Sequence, residues 1–304
     1  MQRLIYPLLV VFAASCYGIL STIIKLAIGA GFTASEAVTS QYYSGFFIAL
    51  VLVILFKRSV PTFDGGWTLF FAGLFTATTG TVYGQAVQHM PASLAVVLLF
   101  QFTWIGMLFD CIAKKRLPSK PETLSLILLF GGTILAAGII DVDLSAIPLQ
   151  GWLWGFASAI SFASFIVINQ RQIKGMDTLT RLFYTSLIGA LFITLFQTPQ
   201  IVWDGTLFAG GLWKFGLVLG LFGTVTPIYL LSIAVPKVGT GVSSILSAME
   251  LPVAVAASTL VLGERLTALQ LFGIVIILFG MTLPTAVDLY RDKKKHRTQR
   301  PNSL

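Results

Sequence analysis

Ten apolar stretches, each bounded by charge, glycine or proline, occupy this 304-residue chain almost end to end. They cover residues 5–28, 35–56, 67–88, 92–113, 122–140, 150–172, 177–196, 211–235, 239–261 and 267–287. About 20 apolar residues are enough for a helix to cross the hydrocarbon core of a bilayer. Ten crossings leave only short loops and tails, so no soluble domain fits between them. Backbone groups in lipid must be satisfied internally, which restricts spanning structures to helices and closed barrels. A barrel needs alternating ten-residue strands, and these runs are continuous. The expected fold class is an all-α integral membrane protein with ten transmembrane helices.

Composition agrees. The chain is 56% apolar and 11% charged, with a mean hydropathy of +0.87, whereas soluble domains carry about 25% charged residues. So few charges cannot solvate a water-facing surface, which excludes a soluble enzyme. The net charge of +8 does not mark a nucleic-acid binder, because the basic residues form no solvated patch. Six of them, Arg291, Lys293, Lys294, Lys295, Arg297 and Arg300, fall in the last fourteen residues, and most others flank apolar runs. With a cytoplasmic N-terminus, 17 of the 20 Lys and Arg lie inside and only Lys25, Lys214 and Arg265 outside. That asymmetry places both termini in the cytoplasm and the chain in a cell membrane, the bacterial cytoplasmic membrane by expectation. The first run lacks a small-residue cleavage site and is long enough to span, so it reads as a helix and not a removed signal. Cys16 and Cys111 fall at opposite levels of the expected bundle, so neither a disulfide framework nor a metal site is indicated.

The second half of the chain echoes the first. Ile127–Thr133 aligns with Ile276–Thr282, and Lys115-Arg116-Leu117 with Glu264-Arg265-Leu266, at one offset of 149; a nearby offset aligns Gly73-Leu74-Phe75 with Gly220-Leu221-Phe222. An odd number of crossings per half starts the second half on the opposite side of the membrane. Two inverted five-helix repeats, residues 1–145 and 146–288, followed by a basic cytoplasmic tail, 289–304, are therefore expected, and inverted repeats are a transporter architecture.

The sequence resembles the EamA-type members of the drug/metabolite transporter superfamily. The resemblance rests on Lys25 toward the end of the first span and on Glu250-Leu251-Pro252 followed by Leu262-Gly263-Glu264-Arg265-Leu266-Thr267 before a glycine-rich last helix. The first half departs from the pattern, with Lys114-Lys115-Arg116-Leu117 in place of a Gly-Glu-Arg-Leu run and Gln41 or Tyr42 where an Arg often begins the second span. What the resemblance implies is a carrier of small metabolites working by alternating access, with export favoured over uptake.

Polar side chains within spans are costly in lipid and face the bundle interior or a watery cavity. Helical spacing gives polar stripes at Ser15, Gly18, Thr22 and Lys25 on the first span and at Thr78, Thr81, Gln85 and Gln88 on the third. The sixth carries Ser158, Ser161, Phe165 and Asn169, and the ninth Ser243, Ser247 and Glu250. Depth along the spans places Ser15, Thr78, Gln101, Trp104, Ser161 and Glu250 near the midplane, where transporter sites form. The candidate substrate-binding set is Ser15, Tyr17, Thr78, Gln85, Gln101, Trp104, Ser161, Phe165, Ser247 and Glu250, with Phe162 as further aromatic surface. Small polar residues also serve as packing contacts between helices, and that reading stands beside the first.

Glu250 is the sharpest residue, since an acidic side chain at a helix centre costs roughly 2.5–3.5 kcal/mol on insertion scales. Two readings follow: proton coupling through its carboxyl, or a neutral Glu bracing a bend at Pro252. Lys25 snorkels to the interface, or acts as a gate or as an anion contact reached from the polar stripe, and Pro227 kinks the eighth span with or without a gating role. These four, Glu250, Lys25, Pro227 and Pro252, form the coupling or gating set. The expected partners are a small-molecule substrate of amino acid, amine or carboxylate type and the lipid bilayer, with the protein a monomer or homodimer and no cofactor. A sugar or other metabolite uptake carrier of the same fold is the nearest alternative. A membrane enzyme has little support, with His89 and His296 the only histidines and Asp141 and Asp143 at a turn. A channel should show charge rings or filter repeats, and none is visible.

Overall fold

The computed structural model describes residues 2–57, 61, 63–90, 92–136, 147–197, 199–263 and 267–298. The described residues form helices and no strand. The helices are α1 (Gln2–Gly29), α2 (Ala34–Lys57), α3 (Gly66–His89), α4 (Ala92–Leu99), α5 (Phe102–Ala113), α6 (Lys120–Ala136) and α7 (Leu149–Gln170). They continue as α8 (Thr178–Gln197), the short α9 (Gln200–Trp203), α10 (Trp213–Gly220), α11 (Thr226–Val238), α12 (Thr240–Leu246), α13 (Glu250–Leu262) and α14 (Ala268–Thr298). Every one of the ten apolar runs is occupied by helix. Eight segments among the described residues are long and apolar enough to cross a membrane, by length and composition. The two outside that set are α3, which carries five Thr and two Gln, and α6, described over 17 residues.

Several helix starts are written into the local sequence. At α2 the Thr33 backbone N–H donates to the Glu36 carboxylate (2.7 Å) while the Glu36 N–H donates to Thr33 Oγ1 (3.2 Å), a reciprocal capping box. Thr267 and Gln270 make the same exchange before α14. Asp177 accepts the Thr180 N–H (2.6 Å) at the start of α8.

Three spans are not continuous α-helices. The fourth is interrupted at Phe100–Gln101, where the Gln101 N–H reaches back only three residues to the Leu98 carbonyl (3.1 Å). The ninth tightens into a 3₁₀ turn at Ser247–Met249. In the eighth, a π turn over Leu221–Val225 lets the Thr226 N–H reach five residues back to the Leu221 carbonyl, directly before Pro227. The helix thus resumes with Pro227 at its first positions, where the missing N–H is least costly. Pro252 likewise sits in the first turn of α13, so the change of helix type falls at Glu250 and not at the proline itself.

The packing has a regular plan. α1 lies against α11 and α13, and α7 against α3, α4 and α5. α2 packs on α10 and α3 on α8, while α2 with α8, α5 with α12 and α6 with α14 are further pairs. Small residues permit the closest approaches. A Cβ on Gly273 would stand 2.4 Å from the Ala136 nitrogen across the α6–α14 contact, and one on Gly220 2.6 Å from the Gly45 nitrogen across α2–α10.

The last helix outruns the expected span and continues to Thr298, so the start of the basic tail is helical. Asp141, Asp143, the expected boundary near residue 145, the end of the fifth apolar run, Glu264-Arg265-Leu266, Arg58 and Arg300 lie outside the described residues.

Candidate functional site

A recess at mid-depth is built from α1, α2, α3, α4 and α13, completed by Phe162 of α7 and Gly223 of the π turn. Its volume is about 140 Å³, room for about five waters or a small organic molecule. Tyr17 and Glu250 each stand twelve residues before the ends of α1 and α13, or about 18 Å at 1.5 Å per residue. That is close to half the thickness of a bilayer core together with part of its interface.

α1 contributes Tyr17, Gly18, Ser21 and Ile24, and α2 contributes Val38, Gln41 and Tyr42. From α3 come Thr76, Thr79, Gly80 and Tyr83, and from the fourth span Val96, Leu99 and Phe100. Glu250, Leu251 and Ala254 close the ring. Glycines set the close contacts that shape it. A Cβ on Gly18 would stand 2.5 Å from the Glu250 carbonyl oxygen, one on Gly223 2.6 Å from Gln41 Nε2, and one on Gly80 2.9 Å from Tyr42 Oη.

Polarity in the recess is sparse. Tyr42 donates its hydroxyl to the Thr76 carbonyl, and Thr79 is held by Ser161 Oγ (2.9 Å) and the Phe75 carbonyl (2.6 Å). The Tyr17 hydroxyl is buried without a hydrogen-bond partner. Its ring meets Phe162 edge-on, centroids 5.6 Å apart, and Phe162 in turn meets Phe102 at 4.7 Å and stacks with Phe165 at 6.2 Å. These rings form a floor, behind which Phe102, Phe165 and Ile166 are fully buried. The carboxyl of Glu250 has neither ion pair nor hydrogen bond among the described residues.

The other end of the bundle is closed by polar contacts. Ser232 of α11 donates to Asn169 of α7 (3.2 Å), and Thr240 of α12 to Gln170 (2.5 Å). Lys57 pairs with Asp177 (2.8 Å), and Arg181 caps the end of α7 through the Arg171 and Ile168 carbonyls (3.0 and 3.2 Å). Arg116 bridges Asp110 and Glu122, both at 2.7 Å, and Lys114 adds a third contact to Asp110 (2.8 Å). Outside the spans, burial pushes the Asp177 carboxyl up, and the Lys57 ammonium with the Thr180 N–H outweighs it, holding the group below the usual carboxylate value.

Of the ten candidate binding residues, the structure brings Tyr17 and Glu250 into the recess. Ser161 stands behind it, donating to the Phe75 carbonyl (3.0 Å) and orienting Thr79, and Phe165 lies one ring deeper than Phe162. Ser15 donates to its own helix at Val11 (2.8 Å), and Ser247 is buried in the 3₁₀ turn. Thr78 and Gln85 sit on α3 away from the lining. Gln101 and Trp104 line a separate small pocket, where the Trp104 indole donates to Gln101 Oε1 (2.8 Å) and Gln101 Nε2 to the Val97 carbonyl (2.9 Å). In the gating set, Lys25 is exposed near the end of α1, while Pro227 and Pro252 are buried beside the breaks in the eighth and ninth spans.

The polar stripes read by spacing on α1 and α3 thus lie largely off the lining faces, rotated by roughly 100° on α1, while Gly18 and Glu250 of the stripes do reach the recess. On α3, Thr81 of the stripe bonds back to the Ala77 carbonyl four residues earlier and needs no cavity. Gln41, Tyr42, Thr79 and Tyr83 were not in the candidate set. Gln41 and Tyr42 had a signal, standing where the resemblance leads one to look for an Arg. Tyr83 follows Tyr17's chemistry on the neighbouring helix and could have been found by asking which aromatics carry a polar tip at similar depth.

A solved crystal structure shares this fold at a TM-score of 0.72 and 15% identity, covering 93% of this chain and 96% of that one. No curated protein matches the chain. The family of EamA-like transporters is matched over residues 149–285. Over that second half the chain, an all-helical multi-pass membrane protein, is similar to the EamA-like transporter family, one of the drug/metabolite transporter superfamily.

Proposed function

We propose that the protein is a secondary carrier that moves a small metabolite across the cytoplasmic membrane by alternating access, in the export direction, with both termini cytoplasmic. The observation that carries this reading is a mid-depth recess lined by both halves of the chain, with the bundle closed beyond an aromatic floor. In the orientation set by the basic residues, the recess belongs to the outer half and the polar contacts around Asn169, Gln170 and Asp110 to the cytoplasmic end. Such an arrangement is an outward-facing state.

The helix pairing supports two halves of five spans related by a two-fold axis. Exchanging each span with the one five places on converts the contacts of α1 with α11 and α13 into those of α7 with α3 and with α4 and α5. It converts α2 with α10 into α8 with α3, and it leaves the pairs α2 with α8, α5 with α12 and α6 with α14 unchanged. The breaks obey the same rule: the offset of 149 that aligns the sequence echoes carries Leu98–Phe100 onto Ser247–Met249 and Gln101 onto Glu250. With five spans per half the axis lies in the membrane plane, so the opposite state follows from exchanging the conformations of the halves. Gln101, now packed against Trp104, would then take the place that Glu250 holds at the recess.

Proton coupling through Glu250 belongs to this reading, since it is the one carboxyl at the site. The experiment is flux in proteoliposomes. Ligands that raise the melting temperature in a metabolite panel are loaded inside, and counterflow of labelled ligand is followed with and without a pH gradient. Saturable counterflow, together with a pH-driven accumulation that Glu250→Gln loses, is the expected result; an unchanged pH dependence in that variant removes the proton coupling, and ion currents far above carrier turnover, or no counterflow for any stabilising ligand, overturns the carrier reading.

A further inference from the structure

The recess has an uneven inventory of charge. Among the described residues that line it, the ionisable groups are three phenols, Tyr17, Tyr42 and Tyr83, and the carboxyl of Glu250, with no Lys, Arg or His. Nothing among the described residues neutralises Glu250 from the protein side. A buried ionised carboxylate without a partner is costly, and a partner arriving with the ligand removes that cost. An anionic ligand would meet the reverse situation: no cation to receive it, and one group able to repel it.

The apolar surface points the same way. Tyr17, Tyr42, Tyr83, Phe100 and Phe162 present rings to one small space. Aromatic faces attract a cation within about 6 Å of the ring centroid, and more strongly when water is excluded. The hydroxyl of Tyr42 is already committed to the Thr76 carbonyl, whereas that of Tyr17 is buried and unpartnered. A ligand that brings a positive head and a compact apolar body therefore fits what the protein leaves unsatisfied.

We infer that the recess selects an organic monocation, an amine or quaternary ammonium with an apolar body, with Glu250 facing its charge and the rings of Tyr17, Tyr83 and Phe162 around it. This narrows the substrate class of the site proposed above and rests on that site, though not on transport through it. A single carboxyl sets the ligand's charge at one. Ligands whose carboxylate would enter the recess are disfavoured.

The test is equilibrium binding, which needs no flux. Full-length protein in lipid nanodiscs is titrated at pH 8 with three probes of one body and three charges: benzyltrimethylammonium, phenylacetamide and phenylacetate. The cation is expected to bind at least tenfold more tightly than the other two. Glu250→Gln should cost the cation tenfold or more and leave phenylacetamide within about twofold, which also reports that the variant is folded. Tyr83→Leu, a second route that keeps the carboxyl, should weaken the cation several-fold more than the amide. Equal affinities, a preference for phenylacetate, no binding by any probe, or an unchanged cation affinity in both variants overturns the inference. Cation binding without counterflow sinks the carrier reading and leaves this one standing; counterflow of an acid with no cation binding does the opposite.

Discussion

At Gly18, α1 comes close against the start of α13, and replacing it tests whether the recess depends on that approach. A Cβ there would lie 2.5 Å from the Glu250 carbonyl oxygen, 2.9 Å from Val253 Cβ and 3.1 Å from the Ala254 nitrogen. Two of those three atoms are backbone, so no side-chain rotation relieves the contact. Ordinary van der Waals separation requires α13 to move by about 1 Å, and overpacking of this kind costs about 1–3 kcal/mol. Against that, Ala gains about 0.5–1 kcal/mol over Gly as a helix interior residue. Gly18→Ala should therefore be net destabilising by about 1–2 kcal/mol, or a fall of roughly 2–8 °C in melting temperature. Gly84→Ala is the matched control, since its Cβ would meet nothing within 4 Å on α3. It should be neutral or stabilising. Melting both variants in the same detergent decides the matter: if Gly18→Ala is as stable as Gly84→Ala, the close crossing at Glu250 does not exist as described.

Tyr42 and Tyr17, two of the three tyrosines of the recess, separate a satisfied hydroxyl from an unsatisfied one. Tyr42→Phe should lose about 1 kcal/mol with its bond to the Thr76 carbonyl, whereas Tyr17→Phe should be neutral or stabilising in the empty protein; thermal melts of the pair check the difference. Arg116→Met strands Asp110, whose side chain is 1% exposed, beside Glu122, with Lys114 as the remaining counter-charge. A loss of about 1–3 kcal/mol is expected, below the usual figure for a buried pair because Arg116 is itself partly exposed, and Asp110→Asn in the same chain should restore part of it. Asp177→Asn keeps an oxygen to cap α8 and removes the charge facing Lys57. Because the folded carboxyl titrates below its ordinary value of 3.8, its contribution is present above that value and fades as pH falls through the lowered one. Wild type should exceed the variant by less than about 1 kcal/mol at pH 7, and the gap should close near pH 3; a gap that widens on acidification contradicts the assignment.

Positions of the helices were legible because burial in lipid demands long uninterrupted apolar runs, and each of the ten runs carries helix. Interruptions were harder. Pro227 announced a disturbance in the eighth span, but nothing in Val97-Leu98-Leu99-Phe100 announces the tightened turn at Gln101. Tyr17 entered as aromatic surface for a ligand, and depth pointed to Glu250, since a polar group at a helix centre needs a reason. Gln101 and Trp104, chosen on the same ground, stand outside the recess, because two long side chains three residues apart satisfy each other and the local backbone. Rotation about the helix axis was the least legible quantity. Hydroxyls that bond back to their own helix look polar in sequence and behave as small apolar residues in packing, so the threonine-rich face of α3 gave no direction. Gln41 and Tyr42 lie in the first third of α2, and only the arrangement of neighbouring helices puts that level beside Glu250.

The central claim is that one site at mid-depth communicates with the two sides of the membrane by turns. Cys16 and Cys111 are both buried, so single cysteines at Ser21 in the recess and at Ser232 in the closed end can be read against a quiet background. With a membrane-impermeant thiol reagent applied from one side at a time, Ser21→Cys should react only from outside and Ser232→Cys only from the cytoplasm. Holding the protein in one state, by a cross-link between positions 170 and 240, which touch at the same closed end, should abolish the second reaction and enhance the first. Reaction of both from the same side, or a Ser232→Cys that reacts equally well when the cross-link is in place, contradicts the account.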